Sequence, residues 1–313
     1  MRIEREWQGL SAVRRPLSLA IGFLDGLHLG HQRILRRVRD AAEGEDGEGW
    51  ALTFEPHPLK IIRPAAAPPL LLTPAQKIEH LAAAGLDGCL ILPFTAEFAA
   101  LEPEIFVAEL VRHAPTLRRV AVGPNWTFGH QARGTPDLLR ALAAQHGFIA
   151  DVAEPVMLDG APVSSTRVRQ AVRAGDLPRA RRLLGYPPAL VGRVVPGRQI
   201  GRKWGFPTAN LLPENELLPP PGIYAARAKL DGARHDAAVY IGHRPTFGDT
   251  PASVIEAHLL DFQGDLYGAP MELTFYERLR SDQRFADPAA LVRQIERDIA
   301  AARAVLRGIP ADG

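Results

Sequence analysis

This chain of 313 residues has one cysteine, almost no net charge and no long apolar run, and each shortage excludes a class of protein. Cys89 has no partner for an internal disulfide, so we expect a buried core thiol in a reducing compartment. A net charge of +2 without a dense Lys/Arg block gives little support for a nucleic-acid partner. Residues 1–8 are charged and lack the apolar core of a signal peptide, and no run could span a membrane. We therefore expect a soluble, cytoplasmic protein whose oligomeric state is left open.

Apolar runs alternate with amphipathic stretches from residue 17 to about residue 157, which is typical of an α/β domain with a parallel sheet covered by helices. One helix has clear boundaries, because Thr73 and Gln76 form a capping-box pattern around Pro74, and Gly85 stops the helix. The predicted strands are Leu17–Leu24, Trp50–Phe54, Cys89–Pro93, Arg118–Gly123 and Phe148–Met157. The predicted helices are Gln32–Ala42, Pro74–Ala84, Glu104–His113 and Pro136–His146.

After Tyr186 the pattern changes to short alternating runs punctuated by Gly and Pro, which predicts a second, all-β domain. We place the domains at 1–186 and 187–313. Asp231-Gly232 is a strong hairpin signal between two of the runs. The predicted strands are Ala189–Val195, Ile223–Leu230, His235–Ile241, Ser253–Phe262 and Met271–Leu279. Short helices are expected to open at Ser164 or Ser165 and at Asp176, and a closing helix spans Pro288–Leu306.

The segment Gly22–His31 joins the first predicted strand to the first predicted helix, and its centre is His28-Leu29-Gly30-His31. A helix that begins at such a junction offers free backbone N–H groups and a partial positive charge to an anion. Two imidazoles around a glycine, which lets a ligand approach the backbone, suit a polyphosphate. The alternatives are a solvated turn or a metal pair, for which the neighbouring sequence supplies no further ligands.

Three other segments of the first domain are candidates for the same site. Val163–Arg169 opens a helix with three hydroxyls and then two arginines. Ordinary capping explains one hydroxyl, but cations at a helix start favour a bound anion, so we interpret the run as a second phosphate clamp facing the histidines. His57 either contacts the same ligand or belongs to a plain turn. The loop Gly123–Gly129 either binds a planar ring or covers the core.

The second domain begins with a glycine-rich segment, Gly192–Asn210, that ends in Pro-Thr-Ala-Asn. Its glycines permit a flap whose backbone amides wrap phosphates, or simply a flexible hairpin. Thr208 and Asn210 fall on one face of an extended segment and offer two oxygens to one Mg²⁺. The flap glycines include Gly197, Gly201 and Gly205.

Glu256 stands in a segment with the alternation of a strand. Ile255, Ala257 and Leu259 would share one face, and Glu256 and His258 the other. A surface carboxylate is the ordinary explanation, but a kinase needs a base that accepts a hydroxyl proton.

These motifs together resemble a known family. His-x-Gly-His after the first strand, with Ser-Ser-Thr-x-x-Arg at a later helix start, resembles the nucleotidylyltransferase superfamily. With the glycine flap and the Pro-Thr-Ala-Asn element, which is highly specific to riboflavin kinases, the whole chain resembles the bacterial bifunctional riboflavin kinase/FAD synthetase family. Further segments that carry the resemblance are Thr53–Pro58, Gly123–Gly129, Ile241–Phe247, Glu256 with Leu259–Phe262, and Leu279-Arg280 before Phe285.

The resemblance implies a Rossmann-like nucleotidylyltransferase domain, followed by a six-stranded β-barrel with a terminal helix. The barrel domain would phosphorylate riboflavin with ATP to give FMN. The first domain would then adenylylate FMN with a second ATP to give FAD and pyrophosphate. The expected partners are therefore riboflavin, FMN and ATP, with Mg²⁺ as the cofactor.

The resemblance also implies roles for individual residues. In the kinase module, Thr208 and Asn210 would hold Mg²⁺-ATP, Glu256 would act as general base, and Arg280 would lie beside the flavin. In the adenylyltransferase module the catalytic residues would be His28, His31 and Arg169. Nucleotide binding there would also involve Gly22, Asp25, Gly30, Ser164, Ser165 and Thr166. The flavin would be lined by His57, Asn125 and Phe128.

The chain departs from the family pattern at Phe23-Leu24, where Gly-x-Phe-Asp-Gly is usual, and Trp126 stands where Phe is more common. Two other functions remain open. One is a riboflavin kinase whose first domain has lost adenylyl transfer or uses another nucleotide. The other is a flavin- or nucleic-acid-binding regulator, for which the arginine-rich helices at 33–39 and 179–182 are the only support.

Overall fold

The computed structural model describes residues 1–197, 201, 204–244 and 252–310. The chain forms two compact units, Met1–Ser164 and Ser165–Gly313. The predicted domain boundary at residue 186 stays a prediction. Of the predicted motif Ile241–Phe247, residues 245–247 lie outside the described residues. Among the described residues, no helix has the length and apolar character needed to cross a membrane.

The first unit is built on a parallel six-stranded sheet in the order β1-β4-β3-β2-β5-β6, which confirms the predicted α/β class. Every residue of β2 is buried, as expected for a strand covered on both faces. The strands are β1 Arg2–Glu4, β2 Leu17–Ile21, β3 Glu48–Glu55, β4 Gly88–Pro93, β5 Leu117–Val122 and β6 Ile149–Val152, with a short hairpin of β7 Met157–Leu158 and β8 Ala161–Pro162. The helices are α1 Gln8–Ser11, α2 Leu29–Gly44, α3 Pro58–Ile62, α4 Pro74–Ala83, α5 Ala96–Ala99, α6 Pro103–His113 and α7 Pro136–His146.

Several boundaries in this unit differ from the predicted ones. The first predicted strand ends at Ile21 instead of Leu24, because Leu24 adopts a left-handed φ of 56° that no strand accommodates. The predicted strand Phe148–Met157 is wrong as a single element, since it divides into β6 and β7. The capping box of α4 is confirmed, with Thr73 and Gln76 bonded reciprocally. Elements β1, α1 and α3 were not predicted, since they are too short to show periodicity.

The sheet order places two loops together at one edge of the first unit. The chain runs from β2 outward through β3 and β4, and then returns to the opposite side of β2 to form β5 and β6. The order therefore reverses between β2 and β5, and ligands of open α/β sheets bind at the carboxyl ends of the strands at such a point. The loops that follow β2 and β5 are Gly22–His28 and Gly123–Gly129.

The second unit is a closed antiparallel barrel of six strands in the order β10-β13-β12-β11-β14-β9, as the resemblance implied. Two helices precede it, α8 Ser165–Ala174 and α9 Leu177–Leu184, and α10 Pro288–Arg307 follows it. The predicted hairpin is confirmed at Asp231-Gly232, where φ is 45° and 83°. The strands are β9 Ala189–Val195, β10 Ala209–Pro213, β11 Gly222–Leu230, β12 Ala233–Arg244, β13 Ala252–Leu259 and β14 Pro270–Ser281.

The barrel core confirms the alternation predicted around Glu256. Ile255, Ala257 and Leu259 belong to the buried interior, together with Tyr224 and Phe275. The predicted extension of this strand to Phe262 is wrong, because β13 ends at Leu259. Asp261, two residues on, turns to a φ of 59°.

Candidate active sites

A row of three polar side chains crosses the outer face of the barrel. Asn210 on β10 lies directly opposite Glu256 on β13, and Tyr240 on β12 lies opposite Glu256 on the other side. Opposite residues on antiparallel strands share a face, with Cβ atoms about 4.5–5.5 Å apart. Because Ile255 and Ala257 point into the core, Glu256 and its two neighbours point outward.

This row forms part of the wall of a pocket of about 480 Å³. The pocket brings together four predicted site residues, Thr208, Asn210, Glu256 and Arg280. At the α10 side it is apolar and includes Leu291, Ile295, Ile299 and Phe285. The pocket therefore combines a polar end carrying a carboxylate with an apolar end, an arrangement that suits a substrate with a hydroxyl chain and a planar ring.

Two of the flap glycines, Gly197 and Gly201, lie close to the Pro-Thr-Ala-Asn element. A Cβ atom at Gly197 would overlap the side-chain amide of Asn210, and one at Gly201 would overlap the carbonyl oxygen of Phe206. Only glycine permits this close approach. Gly205 is exposed with a φ of 86°. The flap is therefore in close contact with Asn210, the predicted metal ligand.

Arg280 enters the pocket as half of an ion pair. Its Nε and Nη2 atoms donate to the carboxylate of Asp298 on α10, at 2.9 and 2.7 Å, and its guanidinium lies 5.7 Å from the ring of Phe285. The Asp298 carboxylate also accepts from Gln294 at 2.9 Å and is 6% exposed. Two-point bonding fixes the guanidinium plane and neutralises its charge next to the apolar end.

Tyr240 links the polar row to the segment after β14. Its hydroxyl donates to Asp282 at 3.3 Å, and burial with the nearby Asp282 carboxylate raises the pKa of Tyr240. A Cβ atom at Gly242, two residues along the strand, would overlap that hydroxyl. The phenol ring therefore lies along β12 over a glycine.

A second pocket, of about 550 Å³, adjoins the same Pro-Thr-Ala-Asn element. It is lined by Pro207, Thr208 and Ala209 and by the aromatic rings of Phe262 and Tyr267. Thr208 lines both pockets and therefore stands on the wall between them.

In the first unit, the two histidines of the His-x-Gly-His motif stack on each other at the start of α2. Their ring centres are 3.7 Å apart, and Nδ1 of His28 accepts from the backbone N–H of His31 at 3.4 Å. A Cβ atom at Gly30 would lie 3.1 Å from the His28 ring and 3.8 Å from the carbonyl oxygen of Val163. The residue before Ser164 therefore lies next to the motif.

His31 carries an unsatisfied ring nitrogen. Its Nδ1 atom is buried and has no hydrogen-bond partner among the residues that the structure describes. Burial, followed by the charges of His28 and Lys77, lowers the pKa of His31 well below 6.5. The ring is therefore neutral at pH 7, with a buried polar atom that invites a partner.

The other predicted residues of the first unit occupy the two loops and the start of α3. The carboxylate of Asp25 accepts from the backbone N–H groups of Leu71 and Leu72, at 3.1 and 3.3 Å. Nδ1 of His57 accepts from the N–H of Leu59 and caps α3. Asn125 is exposed after β5.

The aromatic residues of the loop after β5 divide between core and surface. Phe128 is buried in the main core of the unit, and Trp126 stacks on it at 4.5 Å between ring centres. The loop thus covers the core through Phe128, one of the two expected alternatives. Trp126 is the more exposed of the two rings.

An apolar pocket of about 760 Å³ lies beside these residues. It is formed by α3, α5 and the turn after Gly129. Its apolar side chains include Leu59, Ile62, Phe94 and Phe98.

Comparison with known proteins assigns each unit to a family. Residues 10–167 match the family model described as FAD synthetase, and residues 184–306 match that described as riboflavin kinase. The bifunctional riboflavin kinase/FMN adenylyltransferase of Pseudomonas fluorescens is 36% identical over 97% of this chain and 98% of its own length. The enzyme of that name from Escherichia coli K12 is 35% identical over 97% of both chains. This chain belongs to the bifunctional riboflavin kinase/FMN adenylyltransferase family.

The solved structures include one that spans both modules of this bifunctional chain. A crystal structure of a Streptococcus pneumoniae protein, named as a macrolide-efflux protein, superposes with a TM-score of 0.86 at 27% identity. It covers 97% of this chain and 99% of the other. Both units of this chain therefore have counterparts, in the same order, in that structure.

The hydroxyl-rich run at residues 164–166 opens α8, as predicted. Ser164 and Ser165 are half-buried, Thr166 is exposed and Arg169 is buried. That this run faces the histidines stays a prediction.

Sequence reasoning missed three residues that the structure places at or beside the two sites. Asp298 had a detectable signal, because it falls three residues after Ile295 on the apolar stripe of the closing helix. Lys77 had the same signal on α4, four residues before the buried Leu81. Tyr240 had none, since a tyrosine in a strand is ordinary.

Proposed function

We propose that this chain makes FAD from riboflavin in two ATP-dependent steps, with the kinase in the barrel unit and FMN adenylyltransferase in the first unit. The observation that carries the proposal is the single pocket shared by Thr208, Asn210 and Glu256, in the residues that match riboflavin kinase. Cytoplasmic location is part of the proposal, since Cys89 is a buried free thiol whose burial raises its pKa to about 12.

In the kinase step, Glu256 is the general base. Riboflavin lies in the pocket of about 480 Å³ with its ring at the apolar end and its ribityl chain toward the polar row. Glu256 then accepts the proton of the 5′-hydroxyl as the oxygen attacks the γ-phosphorus of ATP, the bond to the β–γ bridging oxygen breaks and ADP leaves. Arg280, neutralised by Asp298, offers a flat polar surface to the ring without adding a net charge.

The second pocket takes the nucleotide. Its aromatic residues Phe262 and Tyr267 suit a purine base, and Thr208 stands between this pocket and the first. An ATP that binds here directs its phosphates toward Thr208 and Asn210, beside Glu256. The close packing of Gly197 on Asn210 supports a flap that covers those phosphates.

Mg²⁺ fits this site as a shared ligand of protein and nucleotide. Thr208 and Asn210 supply a hydroxyl and an amide oxygen, and hard oxygen donors are the ligands that Mg²⁺ takes. The described residues contain no group of three or more His, Cys, Asp or Glu that could hold a metal alone. Thr208 and Asn210 would hold the ion together with the nucleotide, and the ion would supply positive charge that offsets the charge of the phosphates.

In the adenylyl transfer step, the start of α2 binds the phosphates of a second ATP. His28, His31 and the N-terminal end of the helix form the anion site, with Gly22, Asp25 and Gly30 shaping the loop. The phosphate of FMN attacks the α-phosphate and pyrophosphate leaves, with positioning and charge neutralisation as the catalytic devices.

The apolar pocket beside α3 is the site for the FMN ring. It is lined by Leu59, two residues after His57, and by Gly129, which ends the loop that carries Asn125 and Phe128. Its volume of about 760 Å³ accommodates a tricyclic ring.

Incubating the purified protein with riboflavin and Mg²⁺-ATP, and separating flavins by chromatography, tests the proposal. We expect FMN first and then FAD. FMN that never advances would contradict the adenylyltransferase assignment, and unchanged riboflavin would favour a flavin-binding regulator.

A further inference from the structure

Lys77 is a half-buried cation that has no role in the proposed chemistry. Its Nζ atom reaches from α4 to the carbonyl oxygen of Phe23 and to Oγ1 of Thr53, both at 3.2 Å. The hydroxyl of Thr53, which is fully buried, donates to the same Phe23 carbonyl at 2.9 Å. Nζ also lies 4.3 Å from the centre of the Phe23 ring. An ammonium group that is partly withdrawn from water needs partners for its donors, and these contacts supply them as one cluster.

The loop that this cluster holds has an unfavourable backbone. Leu24 and Leu27 have φ of 56° and 29°, a region that leucine rarely adopts. Such conformations persist only when their surroundings fix them, and they are common at active sites. The loop connects β2 to His28, the residue that caps α2.

Two anchors fix the loop, and both come from one short stretch of chain. Lys77 holds Phe23, and the backbone N–H groups of Leu71 and Leu72, just before α4, hold Asp25. The capping box of α4 fixes the beginning of that helix. The loop is therefore held at two points, by Lys77 on α4 and by the two residues just before the α4 cap.

The charge of Lys77 also reaches the histidines. It is one of the influences that lower the pKa of His31, after burial and His28. Burial lowers the pKa of Lys77 itself, while the neighbouring acidic groups favour its charged form. The titratable groups that face Lys77 from the adjoining elements are Asp25, His31, Glu55 and Cys89.

We propose that Lys77 is a positioning residue for adenylyl transfer. Its ammonium ties the Phe23 carbonyl to Thr53, and this tie sets the loop that places His28 and His31 at the start of α2. The inference rests on the adenylyl transfer proposed for the first unit. It also assigns a structural role to Phe23, because the Phe23 ring packs between Lys77 and His57.

The test compares Lys77→Met, Lys77→Arg and Thr53→Val with Lys229→Met, a matched loss of an exposed lysine. Conversion of supplied FMN to FAD is followed at varied ATP, together with riboflavin phosphorylation in the same samples. We expect Lys77→Met to lower kcat for FAD formation about 100-fold, the scale of a misplacement of about 1 Å, with KM for ATP changed about threefold at most. Lys77→Arg recovers part of the rate, since it keeps charge and donors.

Thr53→Val keeps the ammonium and removes only the hydroxyl, so it separates positioning from folding. We expect an intermediate loss of kcat in this variant, with FMN formation and thermal unfolding unchanged. Wild-type FAD formation by Lys77→Met would overturn the inference. Losses in Lys77→Met and Thr53→Val that match the unfolded fraction at the assay temperature would overturn it as well. A wild-type protein that makes no FAD from FMN would instead contradict the proposed function.

Discussion

Asn210 and Glu256 face each other across two adjacent antiparallel strands, so the proposed metal ligand and the proposed base share one outer surface of the barrel. The register of β10 against β13 fixes this arrangement. A slip of one residue would turn Glu256 into the core in place of Ala257. The strand register therefore sets the positions of the proposed kinase residues. Each of these residues can be replaced separately.

Replacing Glu256 by Gln removes the proposed base and keeps the shape of the side chain. We expect riboflavin phosphorylation to fall about 10²- to 10⁴-fold, the usual contribution of a general base. FAD formation from supplied FMN should keep the wild-type rate, because that reaction belongs to the other unit. Wild-type FMN formation by Glu256→Gln would exclude the residue as base.

Asn210→Ala removes one proposed oxygen ligand of Mg²⁺. We expect FMN formation to be abolished at ordinary Mg²⁺ concentrations, while FMN-to-FAD conversion stays measurable. Asn210→Asp keeps an oxygen at the same place, so it should retain more activity and shift the Mg²⁺ dependence. If both variants respond to Mg²⁺ like the wild type, the ligand role is wrong.

Gly197→Ala tests the contact between the flap and Asn210. A Cβ atom there would overlap the Asn210 amide, so either the flap or the ligand must move. We expect KM for ATP in the kinase reaction to rise about tenfold or more. The reason is that losing one hydrogen bond from the flap to a charged phosphate costs about 1.5–3 kcal/mol, which corresponds to that range. Gly44→Ala is the control, because a Cβ atom at Gly44 meets nothing within 4 Å.

The buried pair of Arg280 and Asp298 should be sensitive to losing one partner. Asp298→Ala leaves the guanidinium at the apolar end without its carboxylate, and we expect a loss of about 3–5 kcal/mol in the free energy of unfolding. Arg280→Lys cannot bond at two points, so KM for riboflavin should rise. A double-mutant cycle for the pair measures the coupling, and additive effects would contradict it.

His31 gives a pH dependence of defined sign. The pKa of His31 in the folded state lies well below 6.5. Below about pH 6.5, this histidine therefore binds a proton in the unfolded chain but stays neutral in the folded chain. The first unit should therefore lose stability as pH falls below 6.5, by up to about 1.4 kcal/mol per pH unit from this residue.

Replacing His31 by Gln should remove that part of the pH dependence. Hydrogen exchange of the β2 and β5 amides, compared at pH 5.5 and 7.5, reports on this unit. His146→Gln, at an exposed position, is the matched control. An unchanged slope in His31→Gln would contradict the pKa direction. FAD formation from FMN should fall in the same His31 variant, because the residue is proposed to contact the phosphates of ATP.

The sequence by itself determined the larger architecture and the motifs. Continuous apolar runs between amphipathic stretches predicted a parallel sheet, and the change of pattern after Tyr186 predicted a β domain, because hydrophobic periodicity is a local property. His28, His31, Thr208 and Asn210 could be found for the same reason, since each belongs to a short segment with its own spacing. The C-terminal end of the predicted strand Leu17–Leu24 was wrong, because a positive φ at Leu24 leaves no mark in composition.

Only the tertiary structure decided which of these segments meet. Asn210 and Glu256 are neighbours through strand register, Arg280 is tied to Asp298 on a helix 18 residues later, and Lys77 joins α4 to Phe23. These are contacts between distant parts of the chain, set by packing and hydrogen-bond satisfaction, for which a single sequence carries only faint signs. A lysine or aspartate on an apolar helical stripe is such a sign, and its partner becomes known only when the sheet is assembled.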